Sequence, residues 1–197
     1  APAVRLSAAE SLYRASAWAH RVKEPCPESI QARLLAGMKS DDVEFQLACA
    51  RAAACYGMAE AMPILVSSER ADTVEDVMQN INCLAWLGSD RATQILRSFL
   101  SHDEARVRRL VVIQLGRQDY AERTGDFLAL LDDPSPEVRV EAITQLQSST
   151  DAALIPHLLP LFEDQDPDVR FAAVQALGGS SACSCPPHAE FNPLGAL

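Results

Sequence analysis

Val138-Arg139-Val140-Glu141-Ala142-Ile143-Thr144-Gln145-Leu146 decides the fold, because the chain repeats it as Val169-Arg170-Phe171-Ala172-Ala173-Val174-Gln175-Ala176-Leu177. The same shift in the other direction lands on Val107-Arg108-Arg109-Leu110-Val111-Val112-Ile113-Gln114-Leu115. A fixed period of roughly 31 residues means stacked structural repeats. Within each copy the apolar residues keep helical spacing: Val138, Ala142, Ile143 and Leu146 form one stripe, and Val169, Ala173, Val174 and Leu177 the next. Two weaker copies lie upstream. Gly57, Gly88, Gly116 and Gly178 follow the last apolar residues of four copies, and Gln147 fills the fifth position. Glycine just past a helix is the usual left-handed cap, so this column predicts five helix ends, with the one at Gln147 weaker.

Each unit reads as two helices. Leu154, Leu158, Leu159 and Phe162 recur at helical spacing, a polar turn follows, and Pro167 opens a second helix that Asp166 is placed to cap; Ser135 and Pro136 repeat the pattern one unit earlier. About 31 residues accommodate two helices of three turns, and so short a hairpin buries its apolar face only against a neighbour. Residues 7–22, with Leu12, Tyr13 and Trp18, read as an amphipathic helix covering the first repeat.

The stretch from Leu154 through Asp166-Pro167-Asp168-Val169-Arg170 to Gly178 resembles a HEAT repeat, and Asp132-Asp133-Pro134-Ser135-Pro136-Glu137-Val138-Arg139 carries the same signature. It is similar in particular to the short HEAT-like class found in phycobilin lyase subunits. The resemblance implies an all-α fold, an α-solenoid winding as a right-handed superhelix of about five HEAT-like helical hairpins. Residues 1–178 form the array, with a capping helix in 1–26, weaker repeats in 27–98 and clear repeats in 99–178; residues 179–197 are a non-repeat tail, read as truncated or non-native. The resemblance also implies a ladder between repeats, in which Arg108, Arg139 and Arg170 meet the turn acids Asp133 and Asp164. In the weaker copies the Arg column becomes Cys49 and Asn80, so the ladder is expected to stop there.

The chain has 197 residues, 27 acidic against 17 basic, for a formal charge of -10. Residues 119–197 hold thirteen acidic and three basic groups, so essentially the whole surplus is C-terminal. This argues against nucleic acid as a partner, since phosphate binding needs clustered cations. No apolar run approaches the roughly 18 residues of a membrane span.

Candidate chemistry is sparse. His20, His102, His157 and His188 share no metal-ligand spacing. Deoxyhypusine hydroxylase, built on similar short repeats, holds iron through paired His-Glu steps, and no histidine here precedes a glutamate. Cys49 and Cys55 lie about 9 Å apart along one helix, too far for a disulfide. Cys83 falls in the apolar stripe, Cys26 lies between two prolines, and Cys183, Cys185 and His188 offer three of the four ligands of a zinc site. No metal and no cofactor are expected.

In the related family the second helices line the inner surface. Their non-core positions select Arg51, Asn82, Trp86, Arg109, Leu110, Ile113, Gln114 and Glu141 as a partner-binding groove, with Trp86 either anchoring a partner or packing between repeats. The expected function is a non-catalytic protein-interaction scaffold or regulatory module, whose partner is another protein or a segment of a larger parent chain, in the cytoplasm. The alternatives are an accessory subunit of a lyase acting on a tetrapyrrole-bearing protein and a HEAT-fold DNA-base glycosylase.

Overall fold

The computed structural model describes residues 7–8, 10–11, 13, 25–67, 73–117, 123–147 and 151–178. Most of the expected N-terminal helix, Trp18 included, lies outside the described residues, as do His20 and the tail with Cys183, Cys185 and His188. Ser7, Ala8, Glu10, Ser11 and Tyr13 are helical. The described residues contain helices and turns and no strand. They divide between two compact units, Ala1–Asp119 and Tyr120–Leu197.

In the first unit, α1 (Glu28–Gly37) pairs with α2 (Val43–Cys55), α3 (Met62–Val66) with α4 (Val74–Leu87), and α5 (Asp90–Ser98) with α6 (Ala105–Gly116). The second helices α2, α4 and α6 stack in sequence, α4 touching both others. Asp42, Thr73 and Ser89 cap α2, α4 and α5 by accepting the N–H three residues on. Where α1 meets α2 the two come close enough that a Cβ on Gly37 would collide with the Cys49 side chain, so only glycine fits there. Leu34, Ala50, Ala52, Ala53, Ala54, Ile81, Leu84, Leu96, Val107, Val111, Val112 and Leu115 are essentially fully buried. Small residues dominate α2 because a thin helix brings its neighbours near.

In the second unit, α7 (Thr124–Ala129) precedes α8 (Pro136–Gln147), and α9 (Ile155–Leu158) precedes α10 (Pro167–Gly178). Proline opens α8 and α10 as the sequence predicts, and Asp166 caps α10 by accepting from Asp168 N–H at 2.9 Å. Ser135 makes no side-chain cap; the turn ahead of α8 is held instead by Asp133 Oδ1, which accepts from Ser135 N–H at 2.8 Å.

Three expectations need correction. The first helices of these hairpins are shorter than three turns: α7 ends in a 3-10 turn, Leu130–Asp132, and α9 lies between two, Ala152–Leu154 and Leu159–Glu163. Pro160 lacks the N–H that an α-helix would use, which favours the tighter winding there. That winding changes the phase, so Leu154, Leu158 and Leu161 face inward while Leu159 and Phe162 are exposed.

The apolar stripe holds throughout α8, where Val138, Ala142, Ile143 and Leu146 are buried, but α10 buries Val169, Ala173 and Ala176 and leaves Val174 exposed. Finally, of the glycine column only Gly57 (φ 74°) and Gly88 (φ 58°) are left-handed. Gly116 and Gly178 are the last residues of α6 and α10, and Gln147 is the last of α8. In these three helices the column lies inside the helix, so glutamine there breaks no cap.

Candidate protein-interaction surface

The arginine column organises the turns. Arg108 Nη1 donates to the carbonyls of His102 (2.7 Å) and Asp103 (2.8 Å). Arg139 Nη1 donates to that of Asp133 (2.7 Å), and Arg170 Nη1 to those of Asp164 (2.8 Å) and Gln165 (3.0 Å). Each guanidinium thus gathers carbonyls five or six residues upstream, which would otherwise point into a sharp turn without donors. His102, Asp133 and Asp164 form a second column of the same period. His102 Nδ1 accepts Glu104 N–H at 3.0 Å, and Asp164 Oδ1 accepts Asp166 N–H at 2.8 Å. Imidazole and carboxylate play the same capping part, an equivalence that the repeat spacing could have revealed.

Between neighbouring hairpins of the second unit, Arg139 Nε and Nη2 hold both oxygens of Asp164 at 3.0 and 2.8 Å, with both side chains mostly buried. Burial alone would raise the Asp164 carboxyl, but the Arg139 hydrogen bonds, the Asp166 N–H and the Arg139 and Arg170 charges outweigh it and keep its pKa low. A cleft of about 400 Å³ between these turns is lined by Asp132, Asp133, Arg139, Glu163 and Asp164, with the Arg139 guanidinium offsetting its negative charge.

The bridging does not stop where the column loses arginine. Asn80, at the column position in α4, donates to Leu65 O. Arg51, two residues beyond Cys49, reaches from α2 to Asp76 Oδ1 at 2.8 Å and Asn80 Oδ1 at 2.9 Å. Asp76 is held low by Arg51 and Thr73 hydrogen bonds. Arg51 and Asp76 are 25 residues apart, as are Arg139 and Asp164. Arg51, assigned from sequence to the groove, therefore serves the stack.

The other groove candidates separate. In the first unit Gln114 is buried and donates to Asn82 Oδ1 at 2.6 Å, so these two polar groups link α6 to α4. Trp86 is half-buried against Tyr13, with ring centroids 6.3 Å apart. The Tyr13 hydroxyl also bonds the Cys83 thiol, and burial raises the phenol above its ordinary value. Tyr13 thus rests on the Trp86 end of α4, a contact between residues distant in sequence that periodicity could not anticipate. Arg109 is exposed on α6, with Leu110 and Ile113 half-buried beside it. In the second unit Glu141 is half-buried and accepts from Gln145 Nε2 at 2.9 Å.

Cys49, Cys55 and Cys83 are buried thiols outside any disulfide, and burial pushes Cys49 up to about 11 and Cys83 to about 12. Cys49 and Cys83 stay protonated at neutral pH, which suits packing rather than nucleophilic attack. Among the described residues no three histidine, cysteine or acidic side chains converge as metal ligands, and no helix is long and apolar enough to cross a membrane.

The family model for HEAT repeats matches residues 31–116 and 124–182. No curated protein matches the chain. Among solved structures, an engineered protein from the Northeast Structural Genomics Consortium superposes with a TM-score of 0.54 at 19% identity, covering 90% of both chains. A second, from the complex of CpcE and CpcF of phycocyanin lyase from Nostoc sp. PCC7120, gives 0.53 at 20% identity, covering 81% of this chain and 68% of the other. These likenesses establish the all-α solenoid fold. With the family model matching most of its length, the chain belongs to the HEAT-repeat family.

Proposed function

We propose that the chain is a non-catalytic protein-interaction module whose binding surface on the first unit centres on Arg109, Leu110 and Ile113 of α6. The observation that carries this reading is an exposed cation set beside part-buried aliphatic side chains on one helix. Arg109 stands exposed on α6, with Leu110 and Ile113 half-buried beside it. A charged rim around apolar anchors suits a protein segment. Trp86 extends the surface on α4, with Tyr13 lying against it. Buried, protonated thiols fit a scaffold better than an enzyme, and together with a free Cys26 they suit a reducing cytoplasm.

The test is a pull-down with the intact chain and with the double variant Arg109→Glu, Leu110→Ser, whose fold is checked by circular dichroism. The variant is expected to lose the partners recovered by the parent. Equal recovery from both refutes the surface. A second reading, an accessory protein for a tetrapyrrole-bearing partner, is favoured by the likeness to the phycocyanin lyase complex. It requires that immobilised chain retain phycocyanin, and failure to do so removes it.

A further inference from the structure

The last hairpin exposes an apolar face that the preceding one covers. Phe171 is 63% exposed, Val174 52%, Leu159 50% and Phe162 39%. One period earlier, the residues aligned with Val174 and Phe162 are Ile143 and Leu131, which are 0% and 5% exposed. Those aligned with Phe171 and Leu159 are Val140 and Leu128, both half-buried. Ile143 disappears because α10 lies along α8. Four apolar positions covered or part-covered in one hairpin are thus exposed in the next, and clustered exposed apolar side chains are characteristic of contact surfaces.

Arg170 supplies a second, independent observation. Its counterpart Arg139 uses Nη1 for the turn carbonyl and keeps Nε and Nη2 for the carboxylate of the next hairpin. Arg170 makes the same carbonyl contacts through Nη1, but its Nε and Nη2 have no partner among the described residues. Arg51 and Arg139 each find their aspartate 25 residues further on, and the position at that distance from Arg170 is Gly195.

We propose that the face formed by Phe171, Val174, Leu159 and Phe162, with the open edge of Arg170, docks one more HEAT-like helical hairpin from a partner polypeptide carrying a carboxylate in the turn before its second helix. The contact continues the α8–α10 stack in kind. Aliphatic side chains of the partner cover Phe171 and Val174, and its carboxylate occupies Nε and Nη2 of Arg170, as Asp164 does for Arg139. This surface belongs to the second unit, and the α6 surface proposed above to the first.

The probe is an extended chain in which residues 148–178 are repeated once directly after Gly178, which places a turn aspartate as far beyond Arg170 as Asp164 lies beyond Arg139. The extended chain is expected to melt higher than the parent by roughly 3 °C or more, and Arg170→Ala is expected to lower its Tm by more than it lowers the parent's. An extended chain that melts no higher overturns the proposal, as does an equal cost of Arg170→Ala in both chains. Two measurements on the parent guard against other occupants. A marked fall in Tm on Phe171→Ser would mean that residues 179–197 already cover the face, and concentration-dependent dimers in sedimentation, abolished by Val174→Asp, would assign it to a second copy. Either result overturns the proposal.

Discussion

Arg51 in the first unit and Arg139 in the second solve one problem from different places. Both tie a second helix to an aspartate the same distance along the chain, and both are mostly buried. Arg139 stands in the arginine column and takes the turn acid ahead of α10. Arg51 stands two residues past that column and takes Asp76, in the first turn of α4, with Asn80 as a second acceptor. The lesson is that the bridge recurs along the chain while its register slides. A helix offers side chains on neighbouring turns, and a long guanidinium reaches the same gap from either one. Alignment by column therefore finds the bridge at Arg139 and misses the one at Arg51.

The contrast between covered and uncovered copies is broken most forcefully at the aligned pair Ile143 and Val174. Ile143→Ala empties a fully buried site and is expected to cost about 2–4 kcal/mol, whereas Val174→Ala stays within about 0.5 kcal/mol. Urea unfolding of both variants measures this, and equal costs would mean that α10 is as covered as α8. Next in size are the bridges. Arg139→Ala leaves the Asp164 carboxylate short of its partner and is expected to cost about 2 kcal/mol, with Arg51→Ala close behind. If Arg51→Ala is silent while Arg139→Ala is costly, the two arginines are not equivalent.

Acid sharpens the same comparison. Asp76 and Asp164 have folded pKa values below their unfolded ones. The stability they contribute is complete above the unfolded carboxylate value near 4 and is lost as pH falls through the folded values. The Tm of the parent should therefore drop more steeply between about pH 5 and pH 2 than that of Asp164→Asn, and Asp76→Asn should flatten the curve similarly. Parallel curves would show that the bridges carry no linked protons.

The smallest effects come from the glycine column. Gly88→Ala forces a side chain into the left-handed region and is expected to cost about 1 kcal/mol. Gly178→Ala, at a helical position with open space around its Cβ, is expected to be neutral or stabilising by a few tenths of a kcal/mol. Thermal melts of the two variants separate a true cap from a glycine that ends a helix.

Much of the fold was legible. Pro136 and Pro167 open α8 and α10, and the buried set of α8 is the one its spacing requires, because local periodicity and proline chemistry act within a few residues. The candidate surface was less legible. Columns of non-core positions mixed exposed side chains with side chains that brace the stack. Only their neighbours across the stack, Asn82 and Asp76, show that Gln114 and Arg51 brace the helices.

The sequence by itself determined the second helices of the clear repeats, their period and the proline openings of α8 and α10, since local spacing and proline chemistry act between residues a few positions apart. Tertiary structure alone decided which apolar faces are covered, which arginine bridges to which acid, and that Tyr13 rests on Trp86. Those outcomes depend on what stands across the gap between hairpins. Ile143 and Val174 are spelled alike, as β-branched aliphatics at one position of a periodic chain, and burial distinguishes them only through the presence of a neighbour.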